Sequence, residues 1–180
     1  MISPYTQLPT SNNREQHATV LIVGPPASGK RTLSRQLIEG IKDASFNCRT
    51  AESLPLPSDD KRPRYDFVIF LLDLTNRQSF DQFQRSLPCL SPEFLMGRSC
   101  IVLTRADKIT HYSFDSKDVK TYVEQFYDIP IFHTNLSNEE ERATLSEQLF
   151  RCIQVSSGYQ PFITPARVHS MMMGDTFLEQ

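Results

Sequence analysis

Apolar residues in this chain come in short dense runs, separated by stretches in which they recur every three or four positions. Ala18 to Val23 is a run rich in β-branched residues that stops at Gly24 and two prolines, which reads as a buried strand. From Lys30 onward, Leu33, Leu37, Ile38 and Ile41 keep helical spacing, so a helix follows. Phe46 to Ser53 holds one short strand, and Pro55, Pro57 and Pro63 with the charges between them make a loop. Phe67 to Leu72 is the most apolar run and belongs at the centre of a parallel sheet, buried on both faces. Ser79 is placed to cap a helix carrying Phe80, Phe83 and Leu87, which Pro88 ends or kinks. Cys100 to Leu103 reads as a strand, and Val119, Tyr122, Val123 and Phe126 mark a helix. Ile129 to His133 is a strand after Asp128, and Leu145, Leu149, Cys152 and Ile153 stripe a final helix ending near Gly158.

Strand and helix alternate throughout, which predicts an α/β fold: a doubly wound, mainly parallel sheet with helices on both faces. No internal repeat is visible. Residues 1–16 are polar and are expected to be a disordered N-terminal segment, residues 17–158 the α/β domain, and residues 159–180 a tail. That tail is expected to be flexible in isolation and able to order on a partner. Its three consecutive methionines, Met171, Met172 and Met173, suit an irregular apolar groove.

Length and charge narrow the function classes. A chain of 180 residues is long enough to bury one core without crosslinks or metals. A net charge of −2 with mixed signs gives no broad basic face, so direct DNA binding is not expected. The one basic cluster, Lys61, Arg62, Pro63 and Arg64, reads as a solvated loop rather than an import signal. Cys48, Cys89, Cys100 and Cys152 are scattered, with no histidine at ligand spacing, which fits a reducing compartment and no metal site. No apolar stretch reaches the length of a bilayer crossing, so a soluble intracellular protein without membrane association is expected. His17, His111, His133 and His169 have no paired carboxylates at useful spacing.

The candidate chemistry is a phosphate loop. Gly24, Pro25, Pro26, Ala27, Ser28, Gly29 and Lys30 fit G-x-x-x-x-G-K, but Arg31 stands where a magnesium-holding Ser or Thr belongs. Such a loop turns backbone N–H groups toward phosphate at a helix N-terminus. Between the first helix and Phe67 the chain is too short for two strands and two mobile loops, so the switch regions of a GTPase are expected to be missing. At the spacing of the metal-side D-x-x-G stand Arg49, Thr50, Ala51 and Glu52, whose charges oppose magnesium and phosphate. Thr104, Arg105, Ala106 and Asp107 resemble a base-reading N/T-K-x-D segment with Arg for Lys; a helix cap or loop carboxylate is the commoner state of an aspartate placed like Asp107 after a strand. The expected base-packing loop, at Thr134, Asn135 and Leu136, lacks the usual small residues.

Two readings stay open on these residues. The expected one has no bound cofactor, no metal and no catalysis. In the other, Gly24, Gly29, Lys30, Thr32 and Asp107 bind nucleotide, as in a small GTPase or a nucleoside monophosphate kinase, whose loop places Thr where Thr32 stands.

Asp66 to Phe80 is similar to the strand and helix of Ras-like small GTPases that contain a D-x-T-N/D-R-x-S-F segment. The stretch Glu52 to Ser58, then Arg62, Pro63, Arg64 and Asp66, and later Phe94, Leu95, Gly97 and Cys100, resembles the centromere protein M family from about Ala18 to Gly158. That resemblance implies a pseudo-GTPase with a P-loop remnant, which does not turn over nucleotide. It further implies a subunit of the constitutive centromere-associated network in the nucleus, at the chromosome's centromere and kinetochore. The implied partners are centromere proteins H and K and, most directly, the helical-repeat centromere protein I. The Gly24 to Lys30 loop departs from the pattern, being better preserved than a family without nucleotide binding requires.

Overall fold

The computed structural model describes residues 17–40, 45–56, 63–125 and 128–157. The elements run β1 (His17–Val23), α1 (Lys30–Gly40), β2 (Ser45–Ala51), β3 (Phe67–Asp73), α2 (Arg77–Ser86), α3 (Pro92–Leu95), β4 (Ser99–Thr104), α4 (Ser116–Val123), β5 (Ile131–Thr134) and α5 (Glu139–Ser156). The strands form one five-stranded sheet in the order β2-β1-β3-β4-β5, and every pairing is parallel. The doubly wound α/β fold expected from the alternating pattern is therefore present. The chain turns outward in opposite directions from β1 and β3, so the crevice at their carboxyl ends is the topological switch point where such sheets bind ligands.

The sheet separates two apolar layers. Even-numbered β1 residues Ala18, Val20 and Ile22 pack with Leu33 and Leu37 of α1 and Leu145, Leu149, Cys152 and Ile153 of α5. Leu21 and Val23 face the other way, toward Phe80 and Phe83 of α2 and Val119 and Val123 of α4. Strand β3 sits between β1 and β4 and is buried along its whole length, as its unbroken apolar run predicts. Phe70 and Phe83 meet edge-on with centroids 5.1 Å apart, fixing α2 on that strand.

Several expectations are corrected. Asn76, not Ser79, caps α2: its side chain accepts from the Gln78 N–H, while Ser79 lies inside the first turn. The Ser79 hydroxyl is nevertheless used, because it accepts from the Asp73 N–H at 3.1 Å and is buried against the end of β3. Pro88 ends α2 as expected, and a 3-10 turn, Leu87–Cys89, follows. Ile38 is 49% exposed instead of joining the α1 core stripe, since Leu33 and Leu37 already fill the face toward the sheet. Strand β5 begins at Ile131, two residues later than expected; Pro130 has no N–H, although its carbonyl accepts from Ile101 N–H at 2.8 Å. Ile41, Phe126, Gly158, the basic cluster at Lys61 and Arg62, and both terminal segments lie outside the described residues.

Candidate functional site

The phosphate-loop sequence leaves β1 at the switch point and runs into α1. Gly24 is required by packing: a Cβ there would lie 2.6 Å from the Leu71 carbonyl oxygen on β3. Gly29 is required by conformation, with φ +95°, and Ala27 also has a positive φ of 60°. Gly24 N–H donates to the Ala51 carbonyl at 3.1 Å, so β2 steadies the loop from the other side. The loop thus keeps a tight backbone shape leading into a helix N-terminus.

Its lysine is turned to another use, while the Ser28 hydroxyl is buried with no hydrogen-bond partner among the described residues. The Lys30 ammonium donates to the carbonyls of Gly24 and Pro25, each at 2.6 Å, and so folds back over its own loop. Burial lowers the Lys30 pKa, and the nearby Glu52 carboxylate pulls it back up. Glu52, placed opposite the loop by the end of β2, therefore already supplies a negative charge to Lys30. Leu136, from the connection between β5 and α5, lies on Gly29: a Cβ on that glycine would meet Leu136 Cδ1 at 2.5 Å. The Leu136 carbonyl is held by Arg142 Nη1 at 2.9 Å, and Arg142 Nε donates to Gln36 Oε1 of α1 at 3.1 Å. The cavity beside Gly24 and Glu52 holds about 10 Å³, room for about one water.

The rim at the ends of β3 and β4 carries a cluster that the sequence reading missed. Asp73 is buried and pairs with Arg105 Nη1 at 2.9 Å through Oδ2. Asp73 Oδ1 accepts from the Thr75 N–H at 2.9 Å and the Thr75 hydroxyl at 2.7 Å. Arg105 Nη1 also donates to Thr75 Oγ1 at 2.9 Å, which closes the triangle. Arg105, read from sequence as the counterpart of a base-reading lysine, is a cation committed to an internal carboxylate, and its backbone φ is 59°. The readable signal was the register: Asp73 pairs with Thr104, so Arg105 stands one residue past an aspartate on the neighbouring strand.

The proposed nucleotide residues divide accordingly. Gly24, Gly29 and Lys30 share the loop, whereas Thr32 is exposed on α1 beside an equally exposed Arg31. Asp107 is exposed beyond β4, where its charge helps burial to raise the pKa of Tyr112. The Tyr112 hydroxyl donates to the Ala106 carbonyl at 2.6 Å and ties that segment down. Among the described residues no group of three His, Cys, Asp or Glu side chains is arranged to hold a metal ion, and no helix is long and apolar enough to cross a membrane.

Comparison with known proteins identifies the lineage. The family model for Centromere protein M (CENP-M) matches residues 1–175. The chain belongs to the centromere protein M family. Centromere protein M of Homo sapiens is 27% identical over 172 residues, covering 96% of this chain and 93% of the human protein. The Bos taurus protein is 27% identical over 173 residues with the same coverage. Centromere protein M of Xenopus laevis is 26% identical over 173 residues, covering 95% of this chain and 93% of its own length. Membership of the centromere protein M family makes this a centromere protein, located in the nucleus on the chromosome at the kinetochore.

Proposed function

We propose that this chain is a non-catalytic structural subunit of the inner kinetochore, a pseudo-GTPase whose rigid α/β domain supports assembly of a subcomplex with centromere proteins H, I and K. Centromere protein I is the most direct partner in this reading. The observation that carries it is the state of the loop lysine. Lys30, which in a working phosphate loop meets the outer phosphates, is bound to the carbonyls of Gly24 and Pro25 with the Glu52 carboxylate near it. Three further features support the same reading: Arg31 at the metal-ligand position, Leu136 on Gly29, and Arg105 drawn into Asp73. Displacing all of them would cost the free energy that phosphate binding must supply.

Calorimetry of the full chain with Mg²⁺-GTP and Mg²⁺-ATP tests the absence of nucleotide chemistry. No heat of binding at high protein concentration is expected. Micromolar binding that disappears in Lys30→Ala would overturn the proposal in favour of an active phosphate-loop protein using Gly24, Gly29, Lys30, Thr32 and Asp107. Affinity purification from dividing cells tests the assembly role, with co-recovery of centromere proteins H, I and K as the expected result.

A further inference from the structure

The two edges of the sheet are finished very differently. Strand β5 is four residues long and follows Pro130, and shortness and proline are both devices that discourage edge-to-edge pairing. Strand β2 is seven residues long and contains no proline, lysine or inward-pointing charge. It pairs with β1 along its full length and with nothing else among the described residues. The hydrogen bond from Gly24 N–H to the Ala51 carbonyl fixes the phase of the parallel ladder. Odd-numbered β2 residues therefore direct their N–H and C=O groups to β1, and those of Phe46, Cys48 and Thr50 point outward from the free edge.

The two faces beside this edge differ in chemistry. On the α5 side, buried Phe46 meets half-buried Phe150 edge-on at 5.9 Å, with half-buried Cys48 alongside, forming an apolar lip. On the opposite side Ser45, Asn47 and Arg49 are all exposed, and Arg49 has no ion-pair partner among the described residues. We propose that the outer edge of β2 is a docking site for an extended segment of a partner protein that adds as a sixth strand. Alternate residues of that segment are apolar, against Phe46 and Phe150, and acidic, against Arg49. Main-chain bonds to Phe46, Cys48 and Thr50 provide affinity, and the two faces provide specificity. The inference does not depend on whether the phosphate loop binds nucleotide.

Hydrogen exchange on the full chain, followed by titration with a synthetic ten-residue peptide alternating Val and Glu, tests it. In the free protein the amides of Phe46, Cys48 and Thr50 exchange fast while those of Asn47, Arg49 and Ala51 are protected. The peptide protects the fast set, and Thr50→Pro, which removes one outward N–H and leaves the β1 ladder intact, weakens binding about tenfold at unchanged Tm. Arg49→Glu also weakens it, and a Val and Lys peptide binds less well than the Val and Glu one. Three results would overturn the proposal: protection of the outward amides in the free monomer, equal binding of both peptides, or binding indifferent to Thr50→Pro. Sedimentation showing a dimer that Thr50→Pro abolishes would replace the partner with a second copy.

Discussion

The loop at Gly24 to Lys30 and the rim at Asp73, Thr75 and Arg105 lie at the carboxyl ends of neighbouring strands, and each commits a cation to the protein itself in its own way. The loop keeps a tight backbone: a Cβ on Gly24 would lie 2.6 Å from the Leu71 carbonyl oxygen, and Gly29 holds a positive φ. Its lysine is held locally by the carbonyls of Gly24 and Pro25, while the buried Ser28 hydroxyl has no hydrogen-bond partner among the described residues. The rim has new side-chain chemistry, with a buried carboxylate held by an arginine and a threonine. The difference teaches that a loop backbone at a switch point can be fixed by packing alone, because Gly24 is needed where the loop crosses Leu71 of β3.

Substitutions at the two places separate these roles. The largest effect is expected from Gly24→Ala, since the new methyl group presses on a backbone carbonyl that cannot swing aside. A loss of about 3 kcal/mol in urea unfolding is expected. A change below the error of the measurement would mean that the loop glycine is there for a ligand after all. Next comes Asp73→Ala, which strands Arg105 and removes two acceptor contacts to Thr75; about 2 kcal/mol is expected, tempered by the 43% exposure of the Arg105 side chain. A double-mutant cycle with Arg105→Ala would give a coupling near zero if the pair were ornamental. Asn76→Ala, at the cap that follows Thr75, is expected to cost about 1 kcal/mol by thermal melting, which is the usual effect of losing an N-cap.

The smallest effect lies outside both regions and serves as their baseline. His133 on β5 is exposed yet partly desolvated by its neighbours, and this lowers its pKa below the usual 6.5. The unfolded chain then holds more protons than the folded one between the folded value and 6.5, so stability is full above 6.5 and falls as pH drops through that window. In His133→Gln a plot of Tm against pH should be slightly flatter from pH 7 down to pH 5. An unchanged slope would show that His133 is as well solvated folded as unfolded.

Much of the fold could be read from the chain because burial and pattern coincide there. Strand β3 announces itself by seven consecutive apolar or strand-ending residues, all buried, and α5 by Leu145, Leu149, Cys152 and Ile153 on one face. Pattern failed where two residues compete for one job. Asn76 and Ser79 are both good caps, and the Asx turn at Asn76 wins because the chain must first leave β3. Ile38 fits the helical period but stays 49% exposed among the described residues. The candidate loop was legible as a motif, yet the engagement of its lysine was not. Leu136 arriving from more than a hundred residues away and Asp73 meeting Arg105 are products of tertiary contact that no local spacing encodes, and the turn of Lys30 onto its own carbonyls is a rotamer choice that the motif does not spell out. The opposing charge at Glu52 was legible, since the end of β2 must lie beside the loop in a parallel sheet.

The last helix lies on the same side of the sheet as the first, and its Phe150 rests on Phe46 of β2. While the protein is being made, the greasy flank formed by Leu33, Leu37 and Phe46 must wait uncovered until the ribosome has released residues as late as Ile153. A truncated product ending before that helix would not be a smaller kinetochore component; it would be a client for chaperones and then for proteolysis.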